Sequence, residues 1–185
     1  YYISRLSQNV DMLNPEIVEA KKNQAYERLK NAQLSSGGFP WWPGSGDADP
    51  YITLYVLAGF NEARKYGVEI DETMINNALR YVNEKIPLML KPEERCLALV
   101  SYAAYVITSY SKSDFSGNRK GFKAAKNWVV FLENNLNRLT PLGKAYLAYT
   151  YYNLGERKKA FEILEIALDG GSEDEITGFY WTPEK

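Results

Sequence analysis

The chain has 185 residues, 22 basic and 23 acidic side chains, a formal net charge of −1, no histidine and a single cysteine, Cys96. Without histidine there is no imidazole-dependent triad and no imidazole-ligated metal, and one cysteine makes no internal disulfide, thiolate zinc site or iron–sulfur cluster. The balanced charge offers no basic face, so no nucleic-acid partner is expected, while an apolar fraction of 45% predicts a folded chain.

The length suits one domain over residues 1–185. No uncharged run exceeds 16 residues, and the more apolar run of that length, Cys96 to Ser111, holds four serines and threonines, short of the ~20 apolar residues of a membrane span, so no membrane contact is expected. The chain opens on Tyr1-Tyr2-Ile3-Ser4, as a processed protein or an excised piece would.

Strand signals are nearly absent and the helix punctuation is legible in chain order. Asn14-Pro15 predicts an N-cap with proline at the first helical position, and Ile17, Val18, Ala25, Leu29 and Ala32 make the apolar stripe that follows. Gln33 to Asp49 reads as a loop. Asp49-Pro50 starts a helix apolar nearly all round, Tyr51 through Ala58, with Gly67 as its left-handed stop. Asp71–Ile86 is striped by Met74, Ile75, Ala78, Leu79, Val82 and Ile86. A second apolar helix starts at Lys91-Pro92 and runs through Cys96 to Val100 and beyond. Asn118–Arg138 is striped by Phe122, Ala125, Val129, Leu132 and Leu136. Thr140-Pro141 opens a third apolar helix, Leu142–Tyr152, that stops at Gly155. Glu156–Leu168 is striped by Ala160, Phe161, Leu164, Ala167 and Leu168, with Gly170 as its stop.

Striped and apolar helices therefore alternate, and the apolar ones begin at Pro50, Pro92 and Pro141, 42 and 49 residues apart. This is an irregular repeat of helical hairpins. An all-α fold is predicted, either an inner ring of apolar helices wrapped by an outer amphipathic ring or a solenoid of stacked pairs; periodicity does not separate the two. In both, the apolar helices are expected to be surrounded by protein.

The distinctive stretch is the loop Gln33–Asp49, which holds Gly37, Gly38, Phe39, Trp41, Trp42, Asp47 and Asp49. Its glycines and prolines forbid regular structure, and its aromatic rings are expensive to leave in water. One expectation is that the tryptophans plug the end of the helical core. The other is an exposed aromatic platform for sugar stacking, with Asp47 and Asp49 as acids; glycoside hydrolysis uses such a pair at roughly 5–9.5 Å. Asp49 is better read as the N-cap of the next helix, which leaves Asp47 alone. The ingredients return at Gly178-Phe179-Tyr180-Trp181-Thr182-Pro183, so Tyr180 and Trp181 join the candidate surface, and a further inner helix should come next. Cys96 reads as a buried, inert thiol. The tyrosines Tyr51, Tyr55, Tyr102, Tyr105, Tyr146, Tyr149 and Tyr152 read as core spacers, or as the lining of a cleft. The acidic run Glu173-Asp174-Glu175 reads as a solvated loop without calcium-loop spacing. No cofactor and no metal site is predicted.

Lys144–Leu168 resembles a single tetratricopeptide repeat, with Leu147, Ala148, Tyr151, Gly155, Ala160, Leu164, Ala167 and Leu168 at that spacing. A longer resemblance is to the thioester domain of bacterial alpha-2-macroglobulin-like proteins. It rests on Gln33, Gly37-Gly38-Phe39, Trp41-Trp42, Asp49-Pro50-Tyr51, Thr53, Tyr55-Val56-Leu57, Glu62-Ala63-Arg64 and Gly67, and further on Leu139 through Ala145, Leu154-Gly155 and Tyr180-Trp181. The resemblance implies an α/α toroid like that of protein prenyltransferases and terpenoid cyclases, here an incomplete ring of about seven or eight helices. It also implies a parent that traps proteases in the periplasm or cell envelope, with target proteases and the parent's other domains as partners. The family's Cys-x-Glu-Gln thioester motif is not in this chain, since Cys96 is followed by Leu97-Ala98-Leu99; the motif is expected upstream of Tyr1, where a helix like Tyr1–Asn9 follows it. The chain is then a scaffold and not an enzyme. The alternatives are a toroid carbohydrate-active enzyme or glycan-binding domain using the Trp41-Trp42 loop, and a helical-repeat interaction module.

Overall fold

Asn14 begins what the computed structural model describes: residues 14–90, 97–110, 119–169, 171–174 and 178–180. Its Oδ1 accepts from the Glu16 amide at 2.9 Å and caps α1 (Pro15–Ala32). No α1 residue is fully buried, although Tyr26, Leu29 and Ala32 lean on the core. A two-stranded ribbon, β1 (Phe39–Pro40) against β2 (Ala48–Asp49), leads into α2 (Pro50–Lys65), and Asp49 Oδ1 caps it through the Ile52 amide at 2.9 Å. Proline at the first position loses nothing there, because that amide has no partner inside the helix.

Two of the apolar helices close alike. Gly67 at φ +76° lets its own amide reach Arg64 O and the Val68 amide reach Ala63 O, and Gly155 at φ +85° does the same for Tyr152 O and Tyr151 O. A side chain at either place would have to adopt the left-handed backbone that glycine takes at no steric cost.

α3 (Glu72–Lys85) buries Met74, Ile75, Ala78, Leu79 and Val82, and the 3-10 turn Ile86–Leu90 buries Ile86, so the whole predicted stripe faces the core. α4 (Leu97–Thr108) has no charged residue and buries two hydroxyls, which bond back to its own carbonyls: Ser101 to Ala98 O at 2.9 Å and Thr108 to Ala104 O at 2.7 Å. Lys91-Pro92 and Cys96 lie outside the described residues, as do Gly170 and the Tyr1–Asn9 segment.

α5 (Arg119–Glu133) stops before the predicted Arg138. Asn135 turns its side-chain amide back onto Phe131 O at 2.9 Å, competing with the helical ladder, and the chain continues in the 3-10 turn Leu136–Arg138. Trp128, which the predicted stripe omitted, is the largest fully buried side chain among the described residues. α6 (Pro141–Asn153) is capped by Thr140 Oγ1 at 3.1 Å from the Gly143 amide, and α7 (Arg157–Leu168) returns alongside it. A second ribbon pairs β3 (Ser172–Asp174) with β4 (Gly178–Tyr180), so Glu173 and Asp174 sit in a strand where a loop was expected.

The described part of the chain is thus mostly helical, in two layers. The inner helices α2, α4 and α6 pack side by side, and α3, α5 and α7 back them. Neighbouring inner helices run parallel: a Cβ on Gly143 would lie 3.4 Å from Ser101 Oγ near the start of both helices, while Asn153 Nδ2 reaches Thr108 Oγ1 at 3.3 Å at their ends. The core runs between the layers through Leu54, Leu57, Leu79, Ile107, Leu132 and Leu147, each such side chain contributing about 1.5–3 kcal/mol by leaving water. The Lys159–Glu133 ion pair ties α7 to α5 across the outer layer.

One expectation is corrected. The apolar helices are not surrounded by protein: Tyr51, Tyr55, Leu142, Tyr149 and Tyr152 are exposed along one side of the inner layer. Tyrosine lets this happen, because its ring supplies apolar area while its hydroxyl remains in water.

Candidate functional site

The glycine-rich loop is seated at its base and open at its tip. Gln33 ends α1 in extended conformation and donates from Nε2 to Gly37 O at 2.8 Å and Met74 O at 2.9 Å, fastening the loop to α3. Gly37 holds φ +93°, and a Cβ there would lie 2.3 Å from Asn77 O, so the position is closed to any side chain. A Cβ on Gly38 would meet Ala48 Cβ at 2.6 Å and the Tyr81 ring at 2.8 Å. Thr53 serves both strands of the ribbon, accepting from the Phe39 amide at 2.9 Å and donating to Asp49 O at 2.7 Å. The Tyr81 hydroxyl adds a bond to Ala48 O at 2.6 Å. Burial first, then the charges of Asp49 and Asp47, push that phenol above its ordinary pKa.

The three loop aromatics separate. Phe39 is 2% exposed and packs edge-on to Phe60, ring centres 6.2 Å apart. Trp41 is 55% and Trp42 69% exposed, which corrects the expectation that the tryptophans plug the core. The plug is Phe39, within a run buried from Gly37 to Pro40; exposure begins at Trp41, past the end of β1, and Gly44 at φ +83° turns the chain beyond it.

Asp49 is engaged as the α2 cap, and Asp47 lies exposed at the tip with its amide on Ser45 Oγ at 3.3 Å. The arrangement therefore offers rings for stacking and one uncommitted carboxylate, not a matched acid pair. Tyr180 is in β4, opposite Ser172, and Trp181 lies outside the described residues.

Behind the loop run the tyrosines that the sequence left open between core spacers and the lining of a cleft. Trp41 meets Tyr51 at 6.4 Å between ring centres, Tyr51 meets Tyr102 at 5.9 Å, and Tyr102 meets Tyr146 at 5.2 Å. Tyr105 then stacks on Tyr146 at 5.3 Å, and the line continues through Tyr149 to Tyr152. This band crosses all three inner helices. Tyr102, its most enclosed member, has its phenol pushed up to about 12, by burial first and then by the neighbouring tyrosines. The sequence signal was present in tyrosines spaced three apart on α4 and α6 (Tyr102 and Tyr105; Tyr146, Tyr149 and Tyr152), a single helical face whose rings pair along the helix.

Among the described residues no group of three or more cysteine, aspartate or glutamate side chains is placed to hold a metal ion, and no helix is long and apolar enough to cross a membrane. No protein-family model matches the chain. Over 149 residues it is 24% identical to alpha-2-macroglobulin of Escherichia coli (strain K12), an alignment that takes in 76% of this chain and 8% of that protein. The chain is therefore similar along most of its length to one short stretch of a much longer alpha-2-macroglobulin.

Proposed function

We propose that this chain is the scaffold part of the thioester domain of an alpha-2-macroglobulin-like protease trap in the periplasm or cell envelope, forming an arc of an α/α toroid. The observation that carries the reading is the alternation of inner and outer helices, headed by a Gln33–Asp49 loop in which the family-like Gln33, Gly37, Gly38, Phe39 and Asp49 each have a structural task. The similarity to a stretch of the Escherichia coli protein supports it. In this reading the tyrosine band looks into the ring, and the reactive thioester belongs to a part of the parent outside this chain. The chain itself catalyses nothing; its partners are the parent's other domains and, through the parent, the attacking proteases.

The test is a trapping assay. Chymotrypsin mixed with the parent protein should lose activity on casein while keeping it on a small chromogenic peptide, and the 185-residue chain alone should change neither. Equal loss on both substrates, or no loss with the parent, refutes the reading.

One observation favours a second reading. Trp41 and Trp42 are exposed, and Trp41 is continuous with the tyrosine band, as a neutral polysaccharide platform would be. Binding of soluble oligosaccharides that disappears in Trp41→Ala and Trp42→Ala would establish that reading in place of the first.

A further inference from the structure

The tyrosine band crosses three helices with no charged group at its centre. Burial and neighbouring tyrosines raise the Tyr102 and Tyr146 phenols, with no lysine, arginine or carboxylate among the causes, so both stay neutral at ordinary pH. The hydroxyls of Tyr51, Tyr102, Tyr105, Tyr146, Tyr149 and Tyr152 donate to no other described residue. Successive rings are also turned against one another, by 30° from Trp41 to Tyr51, 42° from Tyr51 to Tyr102 and 44° from Tyr102 to Tyr146. The surface is therefore ridged. At its far end Tyr149 and Tyr152 form one wall of an apolar groove of about 360 Å³, with Phe161 and Leu164 of α7 opposite. An open apolar surface of this extent marks a binding site.

These properties select the partner. The face is built from helices whose backbone groups bond within the helix, so an ordinary extended segment would bring amide donors that find no carbonyl there. Proline brings none, because it has no N–H. A proline-rich segment leaves its carbonyls free of internal hydrogen bonds, ready to accept from the phenol hydroxyls, and its rings are apolar and uncharged like the band. Aromatic-lined grooves grip proline-rich helices in general. The lengths agree: three ring-to-ring steps of 5.2–6.4 Å lead from Trp41 to Tyr146, and at about 3.1 Å per residue roughly five prolines cover them. A sugar chain instead stacks on flat faces, and neighbouring faces here do not share a plane.

We propose that the tyrosine band binds an uncharged, proline-rich segment of a partner protein in polyproline II conformation, laid across α2, α4 and α6 from Trp41 towards the α6–α7 groove. The inference rests on ring geometry and hydrogen-bonding capacity, not on the protease-trap reading, so its failure leaves the trapping assay undecided and the reverse also holds.

The probe is fluorescein-labelled decaproline. Added to the 185-residue chain, it should bind saturably by fluorescence anisotropy. Tyr51→Ala and Tyr149→Ala should each weaken binding about tenfold, the scale of losing one ring at a binding surface; both rings are exposed, so circular dichroism should remain unchanged. Tyr102→Phe keeps its ring and loses one donor, and should weaken binding about threefold. Tyr66→Ala, an exposed tyrosine that meets no ring of the band among the described residues, should leave it unchanged. A glycine–serine decamer with the same label, a flexible coil, should bind far more weakly. Overturning results are no saturable binding, binding indifferent to both alanine variants or to Tyr102→Phe, a loss in Tyr66→Ala equal to theirs, or equal binding of the glycine–serine decamer. Displacement of decaproline by an equal concentration of cellohexaose would also overturn it, by making the band a carbohydrate platform.

Discussion

Ile163 and Leu164 are adjacent on α7, similar in size, and assigned opposite roles by the sequence stripe and by the structure. The stripe placed Leu164 in the core; in the fold Ile163 is 5% exposed and Leu164 37%. Truncating each to alanine removes the same number of carbon atoms, so the comparison isolates burial. For Ile163→Ala the lost transfer energy and the cavity together should cost about 3 kcal/mol. For Leu164→Ala, part of the side chain is already in water and an open groove leaves no cavity, so about 1 kcal/mol is expected. Helix propensity alters either figure by only ~0.4 kcal/mol. The gap of about 2 kcal/mol corresponds to about 1 M in urea midpoint at a slope near 2 kcal/mol/M, and to roughly 4–8 °C in Tm for a chain of this size. Urea unfolding of the 185-residue chain at pH 7, followed by circular dichroism at 222 nm, measures it, provided the slopes of the two variants agree. Equal costs, or a larger cost at Leu164, would mean that α7 is rotated about its axis relative to this fold, and the exposed groove with it.

Three further outcomes follow from the same packing. Phe39→Ala should cost about 3–5 kcal/mol, as aromatic core truncations do, while Trp41→Ala and Trp42→Ala should each stay within about 0.5 kcal/mol of the parent chain; thermal melts of the three variants that rank otherwise contradict the seated base and open tip of the loop. Asp49→Ala should cost about 1 kcal/mol through loss of the α2 cap and Asp49→Asn much less, read as denaturant midpoints; an equal loss in both would place the carboxylate's charge, not its capping bond, in control. Tyr102 has its folded phenol raised to about 12 by burial and then by the surrounding tyrosines, so its contribution to stability is complete below the ordinary pKa near 10 and is lost as the pH rises from there through about 12. Urea midpoints at pH 9 and pH 11 should therefore fall less in Tyr102→Phe than in the parent chain, and identical falls would refute the burial assigned to it.

The helix boundaries were legible because they are set by local chemistry. Asn14, Asp49 and Thr140 cap helices where a proline follows, and Gly67 and Gly155 close helices where a positive φ is required. The α3 stripe was legible for a similar reason: one face is apolar, the rest is polar, and only one orientation buries it. At α5 the reading overran, since Asn135 ends the helix by a side-chain bond that periodicity does not register. It failed differently at α7, where apolar residues lie on two faces and spacing cannot choose between them.

The candidate surface divides along the same line. The sequence marked Gln33–Asp49 as a special loop and Asp49 as a cap, both consequences of glycine, proline and short polar side chains acting on their own backbone. It left Phe39, Trp41 and Trp42 undivided, because which of three neighbouring rings is buried depends on Phe60 and Thr53 waiting across the loop. By itself the sequence determined a mostly helical fold of alternating apolar and striped helices, through capping, helical period and the composition of each helix. Only the tertiary structure decided which apolar faces meet, and so which remain open: the tyrosine band and the α6–α7 groove exist because packing aligns rings and stripes from separate helices, a relation that no local pattern contains.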